Sequence, residues 1–221
     1  MENTGMPMLG AKFPTLEVTT THGALTLPED YKGKWFVLFS HPSDFTPVCT
    51  TEFVGFAQAQ EEFDELNTKL VGLSIDGVTS HLKWVEWIKE NIGVDVKFPI
   101  IADELGRTAL KLGMVHDAVG TSTVRSVFIV DDKGVLRLIM YYPMDVARSI
   151  AEILRAVRGL QMADINEVVI PENWPNNKIL GDAVLYKPAK TVEDALKQKE
   201  RIEKDGGTYV DWWYSYKKLD K

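Results

Sequence analysis

One stretch of this chain has the residue types for nucleophilic chemistry: His41-Pro42-Ser43-Asp44-Phe45-Thr46-Pro47-Val48-Cys49-Thr50-Thr51-Glu52. It holds the only cysteine in 221 residues. An apolar run, Trp35-Phe36-Val37-Leu38-Phe39-Ser40, leads into it, and a helical pattern follows. The order reads as a strand, a proline-braced turn, then a helix with a thiol in or near its first turn. Pro47 suits a helix opening, where a missing N–H costs nothing. Unpaired N–H groups and the positive end of the helix dipole favour a thiolate there. Thiolate is the reactive form, and such settings lower a cysteine pKa from about 8.5 to between about 3.5 and 7.5. By count alone, a lone intracellular cysteine reads as an inert buried residue. The flanking prolines, Thr46 and the strand-to-helix junction argue for reactivity instead.

The elements that must position this thiol follow from periodicity. Leu16 and Val18, then Leu25 and Leu27, alternate about Thr20-Thr21-His22-Gly23, a hairpin signal. After Cys49, Phe53, Phe56, Ala57 and Phe63 share one helical face, followed by Leu66. Lys69 to Ile75 is a near-continuous apolar run, as in a strand covered on both faces. Thr79 and Ser80 are candidate N-caps for a helix with Leu82, Val85, Ile88 and Ile92 as its stripe, ending at Gly93. Phe98-Pro99-Ile100-Ile101 reads as extended. Asp103 to Leu112 reads as a short helix stopped by Gly113, and Asp117-Ala118-Val119-Gly120-Thr121 as a polar loop before Arg125. Ser126–Val130 and Val135–Tyr141 flank Asp131-Asp132-Lys133-Gly134, a hairpin. Asp145 then caps a helix with apolar positions Val146, Ile150, Ile153, Leu154, Val157 and Leu160. Parallel βαβ units, an antiparallel hairpin and a closing helix form the thioredoxin-like order. The fold class is α/β: a central mixed sheet flanked by helices, with a C-terminal extension.

The totals bound the function class. A net charge of −7 and a pI near 5.2 argue against nucleic acid as a partner. One cysteine excludes an intrachain disulfide and points to a reducing compartment, the cytoplasm. Met1 to Gly10 shows no signal peptide, and no run approaches the ~18 apolar residues of a spanning helix, so no membrane partner is expected. After Gln161 the composition shifts: Pro171, Pro175 and Pro188 mark an irregular segment, a charged helix starts near Thr191, and an aromatic tail runs from Tyr209 to Tyr216. The expected division is a domain at 1–160 and an extension at 161–221 that packs as an arm on a partner subunit. No phosphate-binding glycine pattern occurs, and His22, His81 and His116 show no ligand spacing, so no metal site is expected.

The pattern Pro42-x-x-x-Thr46-x-x-Cys49 resembles the active-site signature of the peroxiredoxins. The string from Phe39 to Glu52 resembles the one-cysteine, peroxiredoxin-six-like subfamily, in its archaeal type with a C-terminal extension. The resemblance covers about Gly10 to Leu160 well and continues more loosely beyond. It implies a thiol-dependent peroxidase that reduces hydrogen peroxide and small alkyl hydroperoxides, with Cys49 as nucleophile. Thr46, whose bland role is a helix N-cap, becomes the substrate-orienting threonine, and Pro42 shields the sulfur. Arg125 matches the active-site arginine, always charged and with a fork of donors. Arg148, early in the last helix, is a second match. Glu52, one turn after Cys49, could pair with an arginine, since a bare carboxylate near sulfur would oppose the thiolate. His41 matches the subfamily and could tune the thiol or move a proton.

Oxidation would give a sulfenic acid at Cys49. With no second cysteine, an outside reductant such as thioredoxin or a small thiol must resolve it, and no other cofactor is expected. Related archaeal-type chains often carry cysteines around the Asp-Trp-Trp segment of the tail, where this chain has Tyr209 and Ser215. The family also implies homodimers assembling into a ring, with a decamer expected. A redox-switched holdase assembly, motivated by the aromatic tail, is the second hypothesis. A thioredoxin-like thiol–disulfide exchanger is disfavoured because no Cys-x-x-Cys pair exists. The position of a lipase-like serine in some subfamily members is Lys34 here, so no phospholipase activity is expected.

Overall fold

The computed structural model describes residues 6–117, 120 and 122–219. Ala118, Val119 and Thr121 of the expected polar loop lie outside the described residues. The chain divides into two compact units, Met1–Ala151 and Glu152–Lys221.

The first unit is built on a seven-stranded sheet. Leu16–Thr20 (β1) and Gly23–Leu27 (β2) form the expected hairpin. Trp35–Ser40 (β3) is buried along its whole length and pairs in parallel with Thr68–Ser74 (β4), which pairs in parallel with Ile100–Ala102 (β5). Arg125–Val130 (β6) runs antiparallel to β3, and Leu136–Tyr142 (β7) runs antiparallel to β6. The order β2-β1-β5-β4-β3-β6-β7 puts β3 at the seam between parallel and antiparallel neighbours. Such a strand is covered on both faces, which is why it reads as an unbroken apolar run rather than an alternation.

The connections are helical. Pro47–Gln58 (α1) follows β3, and Gln60–Glu65 (α2) continues after a break at Ala59. Phe53, Phe56 and Phe63 are buried, as their spacing predicts. Val78–Ile92 (α3) links β4 to β5. Its N-cap is Gly77, and neither Thr79 nor Ser80 caps it. The helix starts at Val78, two residues earlier than a cap at Thr79 would set it. Its buried face is His81, Trp84 and Ile88, whereas Leu82 and Ile92 are exposed. The inward stripe thus lies one position away from the expected one, because a histidine and a tryptophan take the inward places. Arg107–Lys111 (α4) is shorter than the span from Asp103 suggests. Asp103 lies ahead of it and accepts from Thr108 N at 3.1 Å and Ala109 N at 2.7 Å. Gly113 ends the segment at φ +66°, a conformation that suits glycine.

A cluster of Phe13, Phe36, Phe128, Leu38, Val71 and Leu73 lies at the heart of this unit, with Phe13 edge-on to Phe36 at 5.4 Å.

The helix expected from Asp145 begins instead at Ile150 and runs to Asn166 (α5). Asp145 lies in a turn, and Val146 is exposed. The side chain and the backbone N–H of Arg148 are bonded to Glu52 and hold this segment out of the helix.

In the second unit, Val192–Lys204 (α6) is capped by Thr191, whose hydroxyl accepts from Asp194 N at 3.0 Å. The aromatic tail folds as a hairpin, Thr208–Asp211 (β9) and Tyr214–Lys217 (β10), beside the two-residue strand Val184–Leu185 (β8). Ser215 is buried there. Its hydroxyl donates to Asp211 O at 2.8 Å and accepts from Val210 N at 3.1 Å. Trp212 and Trp213 form the exposed turn. No helix among the described residues is long and apolar enough to cross a membrane.

Phe36 is fully buried between Phe13 and Tyr31. Phe36→Ala is expected to lower stability by about 3–5 kcal/mol through lost burial and a residual cavity. Denaturant unfolding of the two proteins measures the difference.

Candidate active site

The chain leaves β3 at Ser40 and turns into α1 through a segment tied down on both sides. His41 N donates to Leu73 O at 2.9 Å, and His41 O accepts from the Thr123 hydroxyl at 2.7 Å. Asp44 N donates to Asp76 Oδ2 at 2.9 Å. Phe45 takes φ +54° to complete the corner, and Pro47 occupies the first turn of α1. Cys49 thus lies in that first turn, as its spacing predicts, and has no exposed surface.

Arg125, the first residue of β6, reaches the sulfur. Its Nη1 lies 3.3 Å from Cys49 Sγ and 2.8 Å from Glu52 Oε2, and its Nε donates to Met144 O at 3.1 Å. Arg148 closes the other side of Glu52. Its backbone N and its Nε donate to Glu52 Oε1, each at 2.9 Å, and its Nη2 donates to Oε2 at 2.6 Å. Arg148 Nη1 donates to Ser40 O at 2.7 Å and Ser126 O at 2.9 Å. Its guanidinium also lies over the Phe39 ring at 5.4 Å. Glu52, Arg125 and Arg148 are all buried.

Burial pushes the Glu52 carboxyl up. The hydrogen bonds and charge of Arg148, with Arg125 beside it, outweigh that and hold it below its ordinary value. Two guanidinium charges face one carboxylate. The guanidinium that carries the uncompensated charge is the one whose Nη1 faces the sulfur.

Thr46 precedes α1 as its N-cap residue but makes no side-chain capping bond. Its hydroxyl donates to Ser43 O at 2.8 Å. The one hydroxyl proton is committed there, which leaves Thr46 Oγ1 with acceptor capacity. Pro42 is buried and Thr46 half-buried.

His41 is the predicted site residue whose surroundings sequence spacing did not foresee. His41 Nε2 lies 2.8 Å from Asp44 Oδ1, and His81 Nδ1, brought in by α3, lies 2.8 Å from Asp44 Oδ2. All three side chains are buried, and they form a group with the composition of a metal site. His81 is therefore not the isolated histidine that its spacing suggested. The one available signal was its place with Trp84 and Ile88 on the inward face of α3.

Comparison with known proteins decides the identity. The AhpC/TSA family matches residues 9–139, and the C-terminal domain of 1-Cys peroxiredoxin matches residues 159–204. Peroxiredoxin 1 of Caldanaerobacter subterraneus subsp. tengcongensis is 60% identical over 214 residues, covering 97% of this chain and all of that one. The chain belongs to the peroxiredoxin family.

The peroxiredoxin of Methanocaldococcus jannaschii is 58% identical over 217 residues, again covering 97% of this chain and all of the other. Among solved structures, a yeast mitochondrial 1-Cys peroxiredoxin, studied for thiol resolution via glutathione/thioredoxin systems, superposes with a TM-score of 0.83 at 36% identity. A cysteine-to-serine mutant of Arenicola marina peroxiredoxin 6 gives 0.81 at 32%. Each covers 97% of this chain and is itself covered completely. The one-cysteine kinship and the thioredoxin-like fold expected from the sequence hold. This peroxiredoxin is a thiol-dependent peroxidase: cysteine chemistry reduces a peroxide, and a thiol supplies the electrons.

The lowered Glu52 value has a pH consequence. An unfolded glutamate titrates near 4.3, so the unfolded chain binds the proton first as pH falls. The stability Glu52 contributes is full above about pH 4.3 and is lost as pH falls through its lower folded value. Glu52→Gln is expected to cost roughly 3–5 kcal/mol near neutral pH, because it leaves two buried guanidinium groups facing each other. The gap to the wild type narrows in acid, and denaturation midpoints between about pH 3 and 7 measure it.

Proposed function

We propose that this peroxiredoxin reduces hydrogen peroxide and small alkyl hydroperoxides at Cys49, with Thr46 and Arg125 as the groups that meet the substrate. The observation that carries this is the Arg125 guanidinium 3.3 Å from Cys49 Sγ, held there by Glu52. The thiolate sulfur attacks the terminal oxygen of the hydroperoxide. A sulfur–oxygen bond forms, the O–O bond breaks, and its electron pair leaves with the distal oxygen as hydroxide or alkoxide, which takes a proton from water. Cys49 keeps the transferred hydroxyl as sulfenic acid. Arg125 offers positive charge where the leaving oxygen gains negative charge. Thr46 Oγ1, its proton already given to Ser43 O, accepts the hydroperoxide O–H and aligns the two oxygens with the sulfur. A sulfur without exposed surface favours small substrates.

Pro42, His41, Glu52 and Arg148 support the site: Pro42 by covering it, His41 from the loop, and Glu52 and Arg148 by fixing Arg125. A first external thiol attacks the sulfenic acid, releasing water and leaving a mixed disulfide. A second thiol then releases Cys49 and the oxidised reductant. Thioredoxin or a small thiol suits this role, and no bound cofactor is required. The division at 1–160 and 161–221, with the second part an arm over a partner subunit, is likewise our reading. Supporting it are the exposed Trp212 and Trp213 of the tail, and exposed Leu105 and Leu110 give ring assembly from homodimers a surface. Native mass measures the subunit number, and a decamer is expected in the cytoplasm.

Intact mass after one equivalent of peroxide is expected to gain one oxygen, located at Cys49. Cys49→Ser is expected to abolish turnover, and unchanged turnover would refute the nucleophile. Arg125→Ala is expected to slow peroxide reduction by about 10²–10³-fold, as for loss of a preorganised charge-stabilising donor. Arg125→Lys is expected to recover little of it, because an ammonium cannot serve the sulfur, Glu52 and Met144 O together.

A further inference from the structure

Beyond the charged centre, one buried group takes no part in the peroxide chemistry proposed for Cys49: Asp44 lies between two imidazoles. His41 Nε2 is 2.8 Å from its Oδ1, and His81 Nδ1 is 3.0 Å from Oδ1 and 2.8 Å from Oδ2. His81 Nε2 faces Ile101 O at 3.3 Å. Burial pushes the Asp44 carboxyl up, but the hydrogen bonds from His41 and His81 prevail and hold it well below the ordinary carboxylate range. An ionised carboxylate only accepts hydrogen bonds. Both ring nitrogens that face it must therefore carry the proton. For a neutral His41 this leaves Nδ1 bare.

His41 is neutral by its surroundings. Burial, His81 and Arg148 all disfavour a charged ring, against the opposing pull of Asp44. Its Nδ1 is buried and has no hydrogen-bond partner among the described residues. A buried ring nitrogen without a partner is costly unless it has a task. The ring packs at 4.7 Å against Phe53, one turn beyond Cys49 on α1. It packs at 5.1 Å against Trp84, whose indole donates to the Thr50 hydroxyl at 3.3 Å. The imidazole is thus wedged against the helix that carries the thiol.

We propose that Asp44 and His81 are positioning residues of the peroxidase reaction, which act through His41 by holding its ring with Nε2 protonated and Nδ1 bare. The buried Nδ1 then offers a lone pair, not a donor, to the proton that the Cys49 thiol gives up on becoming the thiolate. This rests on the reading of Cys49 as the nucleophile. His81 couples α3 to the cysteine loop through Asp44, and the Asp76 carboxylate pins the same loop by accepting from Asp44 N.

Nitrogen NMR of histidine-labelled wild-type protein reads the tautomer without turnover. His41 is expected as a single Nε2–H form near neutral pH. A mixture or an Nδ1–H form overturns the proposal while leaving the Cys49 reading intact. Asp44→Asn, checked for folding by circular dichroism, presents one acceptor and one donor to the two rings. It is expected to lose the single tautomer and to slow peroxide reduction by roughly 10²-fold, in the range of general acid–base effects. Because Asp44 raises the His41 pKa, any acid limb due to His41 moves to lower pH in this variant. His81→Gln, whose amide can still donate to Asp44, is expected to stay within about threefold of wild type, and His81→Leu to fall further. A folded Asp44→Asn protein with a rate within about twofold of wild type and an unmoved pH profile sinks the idea.

Discussion

The site depends on an electrostatic imbalance that is satisfied at one atom. Glu52 sits between Arg125 and Arg148, and both of its oxygens are fully engaged by them. Burying three charges is costly unless they pair with good geometry. Here the geometry is good, but the count is uneven. The surplus charge sits on a guanidinium whose Nη1 also points at Cys49. The sulfur thus shares Arg125 with the structural ion pair, and one guanidinium serves both contacts.

That balance also explains the local backbone. Arg148 sends its own N–H and its side chain to Glu52 and to carbonyls at the ends of β3 and β6. An α-helix would have kept the residue turned with its neighbours. The charged cluster therefore delays α5 to Ile150 and leaves Asp145 in a turn, and the carbonyl of Met144 in that turn steadies Arg125. The sheet supplies the rest. β3 and β4 bring the cysteine loop and Asp76 from one direction, while antiparallel β6 starts beside them and delivers Arg125 at its first residue.

Much of this was legible in the residues. The strand–proline–cysteine junction, the two hairpins and the buried phenylalanines of α1 follow from local patterns that tertiary packing reinforces. The failures are instructive. A hydroxyl cap at Thr79 or Ser80 is a local preference, and the chain instead turns at Gly77. The apolar stripe of α3 misled because buried His81 has a polar partner that periodicity cannot see. Thr46 kept its position at the head of α1 but makes no capping bond, and its hydroxyl donates to Ser43 O. At His81 a contact between distant segments outweighed a local preference of a fraction of a kcal/mol to about 1 kcal/mol.

The opposed direction of β3 and β6 has a consequence for how such a protein can diversify. The loop that leads to Cys49 leaves the end of β3 and Arg125 stands at the start of β6, so Thr123 and Val124, arriving at β6, hold the start of that loop through His41 O and the Ser40 hydroxyl. At the far end of the same pair, Gly33, ahead of β3, donates to Asp132 O in the turn that joins β6 to β7. The ionic cluster is held by its own three side chains, whereas the loop is held by backbone and hydroxyl contacts from a neighbouring segment. Charge and loop shape thus rest on different residues of one junction, and a change in the arriving residues bears on the second before the first.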